Sequence, residues 1–255
     1  MQTKGNTILI TGGGTGIGFG LARAFHASGN QVIIASRRKD VLDDAVKNNP
    51  GIASYMLDIQ NTSEIKAFAT KVLNDFPGLN VLINNSGIMR AENLLDQRDL
   101  TNMEAIIATN LLGPLRLTAA LLPSLLKQQR AVILNVSSGL AFVPMAITPT
   151  YCATKAALHS YTQSLRCQLK NTNVQVVELI PPYVATHLMN GADDPMAMPL
   201  DDYIAEVMEI IKSQPNAAEI CVENVKRFRF AAETGNHEKF FQAFNAGVQD
   251  AINQF

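Results

Sequence analysis

Cysteine and histidine are scarce: the 255 residues hold three cysteines and four histidines. Cys152, Cys167 and Cys221 are odd in number and widely spaced, which excludes a disulfide framework and any ligand-like cysteine spacing. Reduced thiols in a cytoplasmic protein are expected. His26, His159, His187 and His237 cluster neither with the cysteines nor with one another, so no metal site is expected. An excess of either charge is also lacking, the formal net charge being -1. The densest basic clusters, Arg37-Arg38-Lys39 and Lys226-Arg227-Phe228-Arg229, are too short for a nucleic-acid track. No signal-peptide pattern precedes the apolar residues that begin at Thr7, and no apolar run reads as a bilayer span. Neither a nucleic-acid nor a membrane partner is expected.

What the chain has in quantity is alternation. Short β-branched runs at Thr7 to Thr11, Gln31 to Ser36, Ala53 to Asp58, Val81 to Asn84, Ala131 to Ser137, Val174 to Ile180 and Glu219 to Val222 predict strands, with helical patterns between them. Near-continuous apolar strands separated by helices imply an α/β fold, one doubly wound domain with a parallel sheet of about seven strands covered on both faces. The segments Leu100 to Lys127 and Pro149 to Lys170 carry more apolar positions than one buried face needs, which suits a subunit contact or deeper burial. His187 to Leu200, rich in Met, Gly and Pro, predicts a mobile loop. Phe240, Phe244, Val248 and Ile252 predict an amphipathic tail helix that covers the chain's own surface or a partner's.

The first strand runs into Gly12-Gly13-Gly14-Thr15-Gly16-Ile17-Gly18 and then a helix. Glycines let backbone amides approach a phosphate, and the helix N-terminus favours its charge. Ile17 stands where G-x-G-x-x-G needs its last glycine; the spacing that fits is T-G-x-x-x-G-x-G through Thr11, Gly12, Gly16 and Gly18. The second strand ends in Ser36-Arg37-Arg38, without the acid that would meet a free ribose 2'-hydroxyl. Ser36 does not repel a 2'-phosphate and the arginines can pair with it, so NADP(H) is expected over NAD(H). Asp58, followed by Ile59, and Asn84-Asn85-Ser86-Gly87 lie at the carboxyl ends of the third and fourth strands, the edge where such sheets bind ligands.

Tyr151 and Lys155 stand four residues apart in a helical segment, which puts phenol and ammonium on one face. A phenol titrates near pH 10; bringing it towards neutrality takes roughly 3 to 4 kcal/mol from its surroundings, and an adjacent cation supplies part. Pro114 has no amide hydrogen, so the carbonyl of Asn110 loses its helical partner and is free to hold water.

With Ser138 thirteen residues before Tyr151, this ordered set resembles the short-chain dehydrogenase/reductase family from Thr7 to about Thr186. Val177-Glu178-Leu179-Ile180-Pro181-Pro182 is further similar to a branch of bacterial oxidoreductases associated with teichoic-acid D-alanylation genes. The resemblance implies one NAD(P)-binding Rossmann-type domain over 1–255, with a substrate loop and helix over 187–215 after the sixth strand. It implies Tyr151 as general acid or base, Ser138 holding the substrate oxygen, Lys155 lowering the tyrosine pKa and binding the nicotinamide ribose, and Asn110 anchoring a relay water. Cofactor contacts are implied for Gly12, Gly14, Thr15, Gly16, Ile17, Ser36, Arg37, Arg38, Asp58, Ile59, Asn85, Ser86, Gly87, Tyr151, Lys155, Pro181, Val184 and Thr186. Pro182 replaces the family's usual glycine, stiffening the turn before Thr186.

Ser138, Leu140, Phe142, Tyr183, His187 and the methionine loop are expected to wall an apolar substrate pocket, suited to a small or medium ketone or aldehyde. A homodimer or homotetramer is expected. Oxidation of a hydroxy compound, such as a hydroxy amino acid, and a non-catalytic NADP(H)-binding regulator are the alternative functions.

Overall fold

The computed structural model describes residues 1–95, 100–189 and 194–247. Seven strands, β1 (Thr7–Thr11), β2 (Gln31–Ser36), β3 (Ala53–Met56), β4 (Val81–Asn84), β5 (Ala131–Val136), β6 (Val174–Ile180) and β7 (Glu219–Cys221), form one sheet in the order β3-β2-β1-β4-β5-β6-β7. Every pairing is parallel. The order reverses between β1 and β4, and that switch point opens a crevice above the carboxyl ends of the strands.

Period-two alternation divides the core into two layers. Ile8 and Ile10 of β1 face one side, with α1 (Gly16–Ala27), α2 (Lys39–Lys47), α7 (Leu200–Ser213) and α8 (Glu223–Arg229). Leu9 faces the other, with α3 (Thr62–Asp75), α5 (Gly113–Leu125) and α6 (Pro149–Leu169). The two remaining helices are α4 (Thr101–Ile107) and α9 (His237–Phe244).

Several expected boundaries shift. The third strand stops at Met56 because Asp58 turns its amide to the Glu64 carboxylate, 3.1 Å away, at the start of α3. The fifth stops at Val136, and the seventh stops at Cys221, with Val222 preceding α8. The segment from Leu100 is one helical run, α4, a wide π-turn over Ala108–Leu112, and α5. At the turn the Gly113 amide bonds the Ala108 carbonyl, one residue further back than in an α-helix. Thr101–Leu125 is, by length and composition, apolar enough to cross a membrane, against the expectation from sequence; here its Ile106, Leu117, Leu121 and Leu125 are buried within the fold.

The segment expected to be a mobile loop contains a 3-10 turn at His187–Met189, and its far end returns to pair Met198 with Val184; residues 190–193 of it lie outside the described residues. The tail helix packs on its own chain, with the Phe228 ring centroid 4.8 Å from Phe240 and 5.2 Å from Phe244. Val248 and Ile252 lie outside the described residues.

A buried polar chain fastens strands to helices beneath the crevice. Asn84 donates to Thr118 of α5 at 3.0 Å and to the Asn135 side-chain Oδ1 at 2.8 Å, while Asn135 Nδ2 donates to Thr162 of α6 at 2.9 Å. Its members are almost wholly buried, so each lost partner leaves an unsatisfied group. Asn135→Ala is expected to lower the stability by about 2 to 4 kcal/mol, read as a fall in the urea midpoint at unchanged slope.

Candidate active site

The glycine turn leaves β1 with Gly12 at φ +64° and reaches α1 with Gly16 at φ +53°, both left-handed values that strain a side chain. Thr15, the residue before α1, is exposed and makes no side-chain cap, and the first helical turn has no acid. The leading amides of α1 are thus left for an anion from outside. Gly14 and Thr15 also open onto a groove of about 480 Å³ between α1 and α2.

The turn is fixed from β4. Thr11 Oγ1 accepts from the amides of Asn85 at 3.0 Å and Ser86 at 3.1 Å. In return Asn85 Nδ2 donates to the carbonyls of Thr11 at 3.0 Å and Gly12 at 3.3 Å. Asn85 and Ser86 therefore build the crevice floor. At the end of β2, Ser36 is half-buried, and Arg37 and Arg38 are exposed with no ion pair among the described residues, whereas the neighbouring Lys39 is held 2.6 Å from Asp43. Asp58 is half-buried; its Oδ1 accepts from the Gln60 amide at 3.0 Å. Ile59 is buried against the start of α5, where a Cβ on Gly113 would lie 2.5 Å from it.

Asn110 sits in the π-turn, 1% exposed. Its side chain brackets Ile88, accepting from the amide at 2.9 Å and donating to the carbonyl at 2.8 Å, and it reaches Thr154 Oγ1 at 3.3 Å. The loop after β4 is thereby clamped to α6. Gly87 faces the space that results: a Cβ there would stand 3.6 Å from Asn110 Oδ1 and 3.7 Å from Lys155 Nζ. A cradle kept open beside an ammonium suits a sugar hydroxyl.

Tyr151 and Lys155 project from α6 and are both buried. Lys155 Nζ donates to the Val136 carbonyl at 2.8 Å and lies 5.5 Å from the Tyr151 ring centroid. Ser138 lies close enough to the Tyr151 phenol to favour its ionised form, and its Oγ accepts from the Leu140 amide at 3.1 Å, while Ser137 points at the Leu179 carbonyl of β6, 3.5 Å away. The geometry thus brings Ser138, Tyr151 and Lys155 together. Burial pushes the phenol above its ordinary value; the Ser138 hydroxyl pulls it down and Cys152 adds to the rise. The cation does not govern this phenol: burial outweighs it, in contrast to the lowering expected of Lys155. Burial also lowers the Lys155 ammonium to about 8, a fall opposed by the Glu178 carboxylate.

The double proline does not carry Thr186 away. Pro181 accepts from the Gly139 amide at 2.9 Å, Val184 is buried, and the Thr186 side chain lies 3.4 Å from the position of a Cβ on Gly16. Thr186 therefore faces the glycine turn. Leu140 packs with Tyr151, but the Phe142 ring lies against His159, centroids 4.7 Å apart, and under Arg229. Tyr183 is 46% exposed and donates to Asp194 at 2.9 Å; His187 is exposed in the 3-10 turn.

Sequence reasoning missed the apolar cluster that includes Tyr151, formed with Met89, Ile106 and Cys152 and covered by Ile88 and Met145. The signal for two of them was their place directly after Gly87. It also missed Glu92, buried and accepting from the Thr150 amide at 3.0 Å and hydroxyl at 2.6 Å. Thr148 provides no side-chain cap for α6, so this carboxylate supplies one from a distant loop.

A phosphate turn at the switch point and a Ser-Tyr-Lys cluster across the crevice coincide with a family match: residues 6–197 fit the short chain dehydrogenase family. The chain belongs to this family. Among its relatives, the uncharacterized oxidoreductase DltE of Bacillus subtilis (strain 168) is 36% identical over 251 residues, spanning 96% of this chain and 98% of that one. The fold is shared with a short chain dehydrogenase from Burkholderia cenocepacia J2315, solved in complex with NADP: TM-score 0.80, 24% identity, 94% of this chain and 98% of that one. It is shared too with 3-ketoacyl-(acyl-carrier-protein) reductase from Brucella melitensis, complexed with NADH: TM-score 0.75, 28% identity, 84% and 93% covered. The chain is accordingly an NAD(P)-dependent oxidoreductase with the seven-stranded fold of that family.

The crevice depends on the Thr11 hydroxyl. Thr11→Val keeps the shape but leaves the Asn85 and Ser86 amides without an acceptor, and is expected to cost about 2 to 4 kcal/mol in urea unfolding.

Proposed function

We propose that this chain is an NADP(H)-dependent reductase of a small or medium ketone or aldehyde. The observation that carries the reading is the Tyr151 phenol, buried beside Ser138 and on the same helix face as the Lys155 ammonium. A phenol whose pKa burial raises stays protonated at neutral pH, as a general acid must before it gives up its proton. That favours reduction over the alternative, oxidation of a hydroxy compound. The Brucella neighbour, itself a ketoacyl reductase, supports carbonyl reduction as the reaction.

The cofactor's fit is supported by the uncapped α1 for the phosphates, the open cradle at Gly87 for the nicotinamide ribose, and the exposed Arg37 and Arg38 beside Ser36, without an ion pair among the described residues, for a 2'-phosphate. Bound NADPH supplies a hydride. The chain's own groups do the rest. Ser138 holds the substrate oxygen, Tyr151 delivers a proton to that oxygen as charge develops, and Lys155 steadies the phenolate left behind. Asn110 holds the Ile88 loop with its side chain, and its main-chain carbonyl, denied an amide by Pro114, accepts from a water that brings a proton from solvent to Lys155 as Lys155 hands its own to the phenolate of Tyr151. Apolar Leu140, Met89 and Met145 around Tyr151 suit a substrate with an apolar part. Leu100, Leu112 and Leu126, exposed on or beside the α4–α5 run, support a homodimer or homotetramer.

A turnover screen with NADPH and NADH over varied carbonyl compounds tests the reaction. Tyr151→Phe is expected to lower kcat by about 100-fold to 10,000-fold; equal turnover by wild type and variant on every substrate refutes the assignment. Cofactor choice has a separate test. Arg37→Ala is expected to weaken NADPH binding by about 10-fold to 100-fold with little effect on NADH, and equal weakening of both contradicts a 2'-phosphate contact.

A further inference from the structure

On α6, below Lys155 and four residues further on, stands His159. Its Nδ1 lies 2.8 Å from Oε2 of Glu178, the fifth residue of β6. Glu178 is in register with Asn135, whose side chain reaches α6 at Thr162, so both side chains rise from the face of the sheet that α6 covers. The Glu178 side chain has no solvent exposure, and its Oε1 has no hydrogen-bond partner among the described residues. A carboxylate kept out of water with one oxygen free is retained only where nearby cations offset the cost.

The surrounding groups show which cations those are. On β7, Glu219 is held by Arg229 of α8 at 2.6 and 3.1 Å, and Arg229 also binds Glu233 at 2.6 Å. Cys221, the other titratable group on β7, is pushed up to about 12, chiefly by burial, and stays a neutral thiol. His159, Glu178 and Glu219 offer ligand atoms within 4.8 Å of one another. Yet the guanidinium already spans both Glu219 oxygens, and a divalent ion would sit against it. On the helix side, Gln163 Nε2 lies 3.1 Å from His159 Nε2. An amide nitrogen donates, so Nε2 accepts and Nδ1 carries the hydrogen that faces Glu178. Beyond His159, the Phe142 ring closes the cluster, and His237 bonds the Phe142 carbonyl, 3.1 Å away. Lys155, one helical turn before His159, donates to the Val136 carbonyl at 2.8 Å, and Val136 is in register with Leu179, the residue next to Glu178; the ammonium stands within the field of that carboxylate.

We propose that Glu178 is a positioning residue of the active site, a buried counter-charge that keeps Lys155 protonated beneath Tyr151, while His159 holds the carboxylate in place through Nδ1–H. The inference rests on reading Lys155 as the cation of a proton-transfer site and assigns it a partner outside that site. Without the carboxylate, burial acts on the ammonium unopposed, and Lys155 gives up its proton at lower pH. Neutral Lys155 then leaves nothing to balance the phenolate formed when Tyr151 donates. His159, Glu178 and Lys155 thus form a polar line between β6 and α6 that ends at the reacting phenol.

The test is a titration that needs no substrate. In protein labelled with 13C-lysine, the Lys155 Cε resonance is identified by its loss in Lys155→Met and followed against pH by NMR. Glu178→Gln is expected to lower the Lys155 midpoint by about one pH unit or more, and Glu178→Asp, which keeps the charge, to hold it within a few tenths. A midpoint unmoved in Glu178→Gln, in protein with the wild-type circular dichroism spectrum, overturns the proposal. If Glu178→Gln fails to fold, the coupling is read from the other side: in 13C-glutamate-labelled protein, Lys155→Met is expected to raise the Glu178 midpoint, and no change overturns the proposal. Failure of every carbonyl compound to turn over would count against the reductase reading and leave both titrations interpretable. Given an active substrate, the high-pH fall in reduction rate is expected to begin at lower pH in Glu178→Gln.

Discussion

A lysine ammonium held out of water is the constraint around which the upper half of this fold is arranged. Lys155 is 4% exposed, and an isolated charge in such a place is far too costly to persist. It is met by the Val136 carbonyl at the end of β5, 2.8 Å away, and by the field of the Glu178 carboxylate from β6. Both groups act only if α6 lies at one height over β5 and β6. The bond between Asn135 and Thr162 sets that height below the site, and the Glu92 cap on Thr150 sets it above. An aliphatic helix would slide on an apolar sheet at little cost; these polar ties allow one register.

The same logic joins the loops above the strands. Loops at the ends of parallel strands have no ladder to hold them, yet here those around the switch point are tied to one another by hydrogen bonds and close contact. Thr11 of β1 receives two amides from the β4 loop, which Asn110 clamps to α6 through Ile88 and Thr154. Gly139, after β5, bonds Pro181, after β6, whose loop brings Thr186 back to Gly16. The circuit closes on itself around the switch point. A hydride-transfer reaction depends on such closure, since placing reacting atoms within a fraction of an ångström governs the rate.

Much of this was legible in the sequence, for local reasons. β1, β2, β4 and β6 have the bounds that their β-branched runs predict: asparagine precedes each, and glycine, asparagine or proline follows all but β2, which runs into Arg37-Arg38. The Tyr151 and Lys155 pair follows from helix periodicity alone. The choice of Ser138 over Ser137 agrees with strand alternation, which sends Ser137 towards β6. What stayed hidden depends on partners distant in sequence. Asp58 leaves β3 early because Glu64 captures its amide. Pro114 announces a break at Asn110, but only the Gly113 bond to Ala108 reveals that it is a π-turn. Glu92 and Glu178 have no local pattern; one caps a helix 58 residues away, and the other looks like a polar interruption in an apolar strand. Phe142 follows Ser138 closely in sequence, yet its ring packs with His159 and Arg229.

Burial drives the two central groups in opposite directions, and both shifts favour the uncharged form. It raises the Tyr151 phenol and lowers the Lys155 ammonium, because water is withdrawn from phenolate and ammonium alike. Each shift is opposed by one polar neighbour, the Ser138 hydroxyl for the tyrosine and the Glu178 carboxylate for the lysine. A site with only burial would keep its proton and lose its cation; one with only polar neighbours would be ionised before a substrate arrived. Burial prevails at the phenol, which stays protonated at neutral pH, while the neighbouring Lys155 keeps its ammonium there. On the proposed role of Tyr151 as proton donor, the apolar cluster of Leu140, Met89 and Met145 serves the reaction as well as binding, since a dry pocket strengthens the attraction between phenolate and ammonium.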